Sequence, residues 1–154
     1  SDLGLLISRH TSDPGGRMDN EEIIRQSQAA CEALSAEDDG LKREVLTHAG
    51  NRWSLGIVHT LGVEGPLRHA EIGRRMNGVT QRMLTRSLRQ LERDGLVLRR
   101  DYGEIPPRVD YELSELGYGL LARMIPLWMW VAENAENFRD ARILYGSENL
   151  TGTK

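Results

Sequence analysis

Residues 80–95 read TQRMLTRSLRQLERDG, and their spacing separates two chemistries. Leu84, Leu88 and Leu91 recur at i, i+4 and i+7, the period of one buried helix face. The remaining faces carry Gln81, Arg82, Thr85, Arg86, Arg89, Gln90 and Arg93. Those side chains combine reach with directed donors, which is what reading base edges in a DNA major groove demands. Arg grips guanine bidentately, Gln pairs with adenine, and Thr offers both a methyl and a hydroxyl. Arg82 and Arg86 lie one turn apart, so one can read a base while the other holds a phosphate. Individual assignments stay open.

Such a helix must be held by others. Asn77-Gly78-Val79 is read as a tight turn in which Gly supplies positive φ, and Thr80 as the helix cap. Before the turn, residues 67–76 are expected to form a short helix buried through Ala70, Ile72, Gly73 and Met76. Upstream, a helix over 52–61 should turn Trp53, Ile57, Val58 and Leu61 inward and stop at Gly62; another should cover 41–49. Two short helices joined by a tight turn suit major-groove entry. Downstream, strands over 96–102 and 108–113 make a hairpin, with Val109, Tyr111 and Leu113 on one side and Arg108, Asp110 and Glu112 on the other. Residues 103–107, GEIPP, read as the projecting loop, because Pro cannot donate to a ladder. Arg99, Arg100 and Arg108 are candidates for phosphate or minor-groove contact; the alternative is that Arg99 and Arg108 pair with Asp101 and Asp110.

Ser114 caps a long helix expected to reach about Glu136 and to bend at Pro126. It is apolar on several sides, through Leu120, Leu121, Met124, Ile125, Leu127, Trp128, Met129, Trp130 and Val131. Dimer packing is the leading account of that surplus, and a ligand pocket near the Trp and Met side chains is the other. Trp53, Met124, Trp128, Met129 and Trp130 are therefore candidates for a dimer interface or ligand site. At the other end, residues 1–19 read as a flexible segment. Asn20 starts a helix with a thin stripe of Ile23, Ser27, Ala30 and Leu34.

Charge is distributed in three blocks. Residues 1–48 hold ten acids and five bases, net -5; residues 65–110 hold ten Arg and six acids, net +4; residues 111–154 hold six acids and four bases, net -2. A basic middle can face phosphates although the whole chain is -3. A single cysteine, Cys31, excludes an internal disulfide, and its weakly amphipathic helix favours partial burial as a small hydrophobe over a redox role. His10, His48, His59 and His69 lack metal-ligand spacing and any nucleophile–base–orienter pattern, so neither a metal, a cofactor nor an enzyme is expected. No apolar run is long enough to span a membrane and residues 1–17 lack the layout of a secretory leader; a cytoplasmic location is the expectation.

Three segments, GNRWSLGIVHTL, GPLRHAEIGRRMNGVTQRMLTRSLRQLERDGLVLRR and YGEIPPRVDYELSELGYGLL, occur in that order before the Trp-bearing helix. The set resembles the HxlR-type branch of the MarR-like winged-helix transcriptional regulators over about residues 50–131. The resemblance implies a mainly α fold with a small β hairpin, a winged helix-turn-helix flanked by dimerisation helices. In that layout residues 20–40 are an N-terminal dimerisation arm, 41–113 the DNA-binding core, 114–138 the C-terminal dimerisation helix and 139–154 a tail. It implies Arg68, Thr80, Gln81, Arg82, Thr85, Arg86 and Arg89 as contacts to double-stranded DNA, with Arg108 on a wing over 102–110. It also implies a homodimer; many members control neighbouring genes, and some sense reactive aldehydes, quinones or oxidants. A dimeric repressor on an inverted repeat, open to a small-molecule effector, is the expectation for this chain. Several of the sensors carry a reactive Cys just before the helix holding Trp53; Gly40 stands at about that position in this chain. The rival reading is a helical protein-interaction adaptor using the same apolar surface without sequence-specific DNA binding.

Overall fold

The computed structural model describes residues 20–33 and 36–151. The chain divides into two compact units, Ser1–Arg43 and Glu44–Lys154. In the first, helix α1 (Asn20–Glu32) begins where Glu21 and Glu22 favour a helix N-terminus, and none of its residues is buried. Ile23 of the expected stripe is 47% exposed, and Leu34 and residues 1–19 lie outside the described residues. Cys31 is exposed rather than partly buried, and the Lys42 ammonium donates to its sulfur at 3.2 Å.

Helix α2 (Ala36–Gly50) starts five residues before the expected position and ends at Gly50. Asn51 then caps α3 (Arg52–Glu64), its side-chain oxygen accepting from the N–H groups of Trp53 (2.9 Å) and Ser54 (3.2 Å). Helix α3 runs through Gly62, where a Cβ would lie 2.2 Å from Leu121 Cδ2, and stops at Gly65 with φ of 81°. Gly62 is thus a packing glycine and Gly65 the terminator. After it comes a strand too short for any periodicity to reveal, β1 (Leu67–Arg68), and then α4 (His69–Arg75). Ile72 and Met76 are buried as expected, but Ala70 is exposed.

Thr80 caps α5 (Gln81–Arg93), accepting from Met83 N–H at 3.2 Å. Strands β2 (Val97–Asp101) and β3 (Val109–Leu113) follow, and the sheet order is β1-β3-β2, both pairs antiparallel. The hairpin is therefore two-thirds of a three-stranded sheet, with Leu67 opposite Tyr111 and Arg99 opposite the same Tyr111. β3 is the central strand, and on it Asp110 is buried, at 9% exposed. Ser114 caps α6 (Glu115–Glu133), which contains Pro126 and ends three residues before the expected Glu136; residues 139–151 of the expected tail are helical in α7 (Ala135–Thr151), and residues 152–154 lie outside the described residues.

One apolar cluster unites this second unit: Ile57, Val58 and Leu61 of α3, Ile72 of α4, Leu84, Leu88 and Leu91 of α5, Val97, Leu113 and Leu121. The three leucines of α5 are at most 1% exposed. Each such side chain contributes roughly 1.5–3 kcal/mol on burial. Where the core closes, backbone approaches backbone. Leu96 carbonyl accepts from Ser114 N–H at 3.1 Å, Ser114 hydroxyl donates to Gly95 carbonyl at 2.5 Å, and Gly117 N–H donates to Ser114 Oγ at 3.1 Å. A Cβ on Gly117 would fall 2.2 Å from the Leu96 carbonyl oxygen, a backbone atom with no rotamer to escape into.

Gly117→Ala is accordingly expected to lower the unfolding free energy by roughly 1–3 kcal/mol. Gly119→Ala is the control: its Cβ would meet only Arg123 Nη1, at 3.5 Å. It should be neutral or gain up to about 1 kcal/mol from helix propensity. Urea unfolding of the two variants checks this, and equal midpoints would refute the close-approach account.

Candidate nucleic-acid interface

Helix α5 presents its polar residues opposite the buried leucines. Gln81, Arg82, Arg86 and Arg89 are exposed, and with Thr85 and Gln90 they line one shallow concavity. Among the described residues, no carboxylate pairs with Arg82, Arg86 or Arg89. Three guanidinium groups on one face with their donors unspent form a focused positive surface.

Two of the other expected contacts on this helix are already engaged. Thr80 is the cap described above. Thr85 is half-buried, and its hydroxyl is 2.9 Å from His69 Nε2. That bond ties α4 to α5 across the turn at Gly78, where φ is 81°. His69 carried no sequence signal for this; its partner is sixteen residues away on a different helix.

The sheet arginines are in a different state. Arg100 Nη2 donates to Glu112 Oε1 at 2.8 Å, Arg108 Nη2 donates to Asp110 Oδ2 at 3.2 Å, and Arg99 Nη2 lies 3.7 Å from Asp101 Oδ2. Arg68 Nε is 3.9 Å from Asp110 Oδ1. Both pairings offered as the alternative for Arg99 and Arg108 therefore occur. Arg108 additionally lies 4.2 Å over the Tyr102 ring, and its Nε–H is buried with no acceptor among the described residues. The hydrogen bond to Asp110 and the charge of that carboxylate raise the Arg108 pKa.

The five aromatic and Met candidates divide in the same way. Met124 is buried; Trp53 and Trp128 are half-buried against the core, with Arg52 4.7 Å over Trp53 and His59 edge-on to Trp128 at 5.4 Å. Met129 and Trp130 are 57% and 52% exposed, and Trp130 meets Phe138 edge-to-face at 5.5 Å. The concavities beside α5 include none of these five residues.

One polar cluster lies beyond the reach of periodicity. His48 Nε2 is 2.5 Å from Asp94 Oδ2, and His48 Nδ1 is 3.5 Å from Ser54 Oγ. The order Ser–His–Asp matches a hydrolase triad in composition, but Ser54 is 1% exposed and His48 4%. A nucleophile needs an approach path to a substrate carbonyl, and a hydroxyl at that depth has none. The cluster instead joins the end of α2, the start of α3 and the C-cap of α5. Arg93 Nε donates to Asp94 Oδ1 at 2.9 Å, and this bond, ahead of the one from His48, holds the Asp94 carboxyl below its ordinary range. Among the described residues no group of three or more His, Cys, Asp or Glu could hold a metal, and no helix is long and apolar enough to cross a membrane.

A carboxyl with a lowered pKa in the fold contributes stability that is present above the unfolded value of about 3.9 and disappears as pH falls through the folded value. The wild-type chain should therefore lose stability on acidification over that window more steeply than Asp94→Asn, which lacks the titration. Urea midpoints from about pH 6 down to about pH 2.5 measure both slopes; parallel slopes would show that Asp94 is not linked to folding.

A protein-family model described as HxlR-like helix-turn-helix matches residues 48–139. YtfH of Escherichia coli strain K12, named an HTH-type transcriptional regulator, is 38% identical over 92 residues, covering 60% of this chain and 72% of that protein. Among solved structures, the transcriptional regulator YtfH of Salmonella typhimurium aligns with a TM-score of 0.58 at 36% identity, over 66% of this chain and 89% of that one. Diamide-treated YodB of Bacillus subtilis aligns at 0.54 and 29% identity, over 66% of this chain and 95% of its own.

Proposed function

The chain belongs to the HxlR-like helix-turn-helix family, and we propose that it is a dimeric repressor that reads an inverted repeat in double-stranded DNA. The observation that carries this reading is the state of α5. Its leucine face is fixed in the core, while Arg82, Arg86 and Arg89 share the opposite face with Gln81 and have no carboxylate partner among the described residues. A recognition helix needs both properties, a rigid seat and unspent donors. Occupied at a promoter, such a protein excludes polymerase.

The dimer is supported by apolar surface that a lone copy leaves in water. Leu127, Met129 and Trp130 of α6 are each more than half exposed, and so are Ile143, Tyr145 and Leu150 of α7. Burial of such patches against a second copy is the common solution. Two copies related by a twofold axis would set their recognition helices on half-sites about 34–36 Å apart. A small-molecule effector enters the reading as a ligand with unequal affinity for two arrangements of that dimer.

Selection of bound duplexes from random and genomic DNA is the direct test, and it should yield two related half-sites. On the selected duplex, removing a guanidinium that neutralises a phosphate (Arg82→Ala, Arg86→Ala or Arg89→Ala) should flatten the dependence of log K on log salt. The slope should change by about 0.9 for every phosphate left without its cation. Replacing a base reader should cost about 1–3 kcal/mol and relax preference at one position. Wild-type affinity in the triple variant, with the fold intact, would overturn the proposal in favour of an adaptor that meets protein instead.

A further inference from the structure

We propose that the tip of the β2–β3 hairpin is an apolar wedge for the DNA minor groove, with Ile105 as the inserted side chain. This rests on the DNA-binding reading and assigns the hairpin a role different from the arginine contact that its sequence suggests.

Electrostatics argue first. Residues 99–112 contain three Arg and four acids, a net charge of -1. Each of the three arginines has a carboxylate within 4 Å, Asp101, Glu112 or Asp110. Glu104 sits beside the tip itself. A hairpin in this state is a weak phosphate clamp, because carboxylates already offset its arginine charges and the approach would bring Glu104 toward negative charge.

What the hairpin does present is apolar. Ile105 is 98% exposed, more than any other large hydrophobic side chain among the described residues, and Pro106 and Pro107 follow it. It contributes nothing to the core, so its cost in water is not offset by folding. The loop beneath it is fixed: Tyr102 N–H donates to Arg108 carbonyl at 3.1 Å and Gly103 N–H donates to Asp101 Oδ1 at 3.0 Å. The Arg108 guanidinium stacks 4.2 Å over the Tyr102 ring, and two prolines stiffen the descending side. An apolar residue on a stiff mount is the form that enters a minor groove between base steps, opening the groove and kinking the duplex.

The chemistry also selects the step. Narrow A-tract grooves concentrate negative potential, which Glu104 opposes, whereas TA and CA/TG steps unstack at least cost. The wedge therefore reads deformability at the flanks of each half-site, not a base edge.

The test uses the full chain on its selected duplex, with the flanks varied as TA steps or A-tracts, and energy transfer between duplex ends to report the bend. Ile105→Ala should weaken binding to TA-flanked DNA about tenfold, the worth of losing most of one buried aliphatic side chain. The bend should shrink with it, and the salt slope should stay unchanged. Ile105→Leu should keep both affinity and bend, and the A-tract duplex should lose much less from Ile105→Ala. Full exposure at 98% leaves the melting temperature of both variants unaltered. Wild-type binding and bending by Ile105→Ala, or a loss of affinity accompanied by a flatter salt slope, would overturn the wedge. If Arg86→Ala loses binding while Ile105→Ala does not, only the wedge fails; if wild type selects no duplex, the DNA reading fails with it.

Discussion

Helix α5 is held by the burial of Leu84, Leu88 and Leu91 against Ile57, Leu61 and Ile72, and the placement of everything else follows from that seat. Because the leucines fix which side of the helix faces the core, they also fix which side faces outward. The rotation is pinned at three further points: the Thr80 cap at the start, the His69–Thr85 hydrogen bond on the flank, and the His48–Asp94 contact at the end. A helix without such pins can roll about its axis, and a roll of one residue moves a side chain by about 100°. Base recognition tolerates far less than that.

Much of this is legible in the sequence, and the reason is local. Period and capping identify α5, since leucines at i, i+4 and i+7 and a Thr before them are properties of one short window. The same signals place the Ser114 cap and the turn at Gly78. Gly62 misleads because a glycine after an apolar run resembles a helix end; only the approach of Leu121, fifty-nine residues on, gives it another meaning. Alternation puts Asp110 on one face with Arg108 and Glu112 but does not say how deeply that face is covered. Here β1, a strand of two residues, turns an edge into a centre. The buried His48–Asp94 pair spans 46 residues and leaves no periodic trace.

Charge shows the same division between what a sequence counts and what a fold allocates. The basic block over residues 65–110 is real, but its arginines are not equivalent. Those on the sheet are neutralised by neighbouring carboxylates, as Arg93 is by Asp94, whereas Arg82, Arg86 and Arg89 of α5 have no carboxylate partner among the described residues. Ion pairs at exposed positions add little stability, typically about 0–1 kcal/mol. Their larger effect is on the field: by cancelling the hairpin they concentrate the positive potential on one helix. Net charge per segment sets the sign of the surface; pairing sets its address.

The bonds from Leu96 to Ser114 and from Ser114 to Gly95 seal the hairpin at its root, where it joins the rest of the unit. Closure at the root fixes the separation of the hairpin's two ends whatever lies between them. The length of the loop becomes a free variable, because lengthening a closed loop costs only about 0.6 kcal/mol per doubling. Descendants of such a chain can lengthen, shorten or re-letter residues 103–107 while α5 stays where it is. The reach of the hairpin is thereby open to change independently of the face that α5 presents.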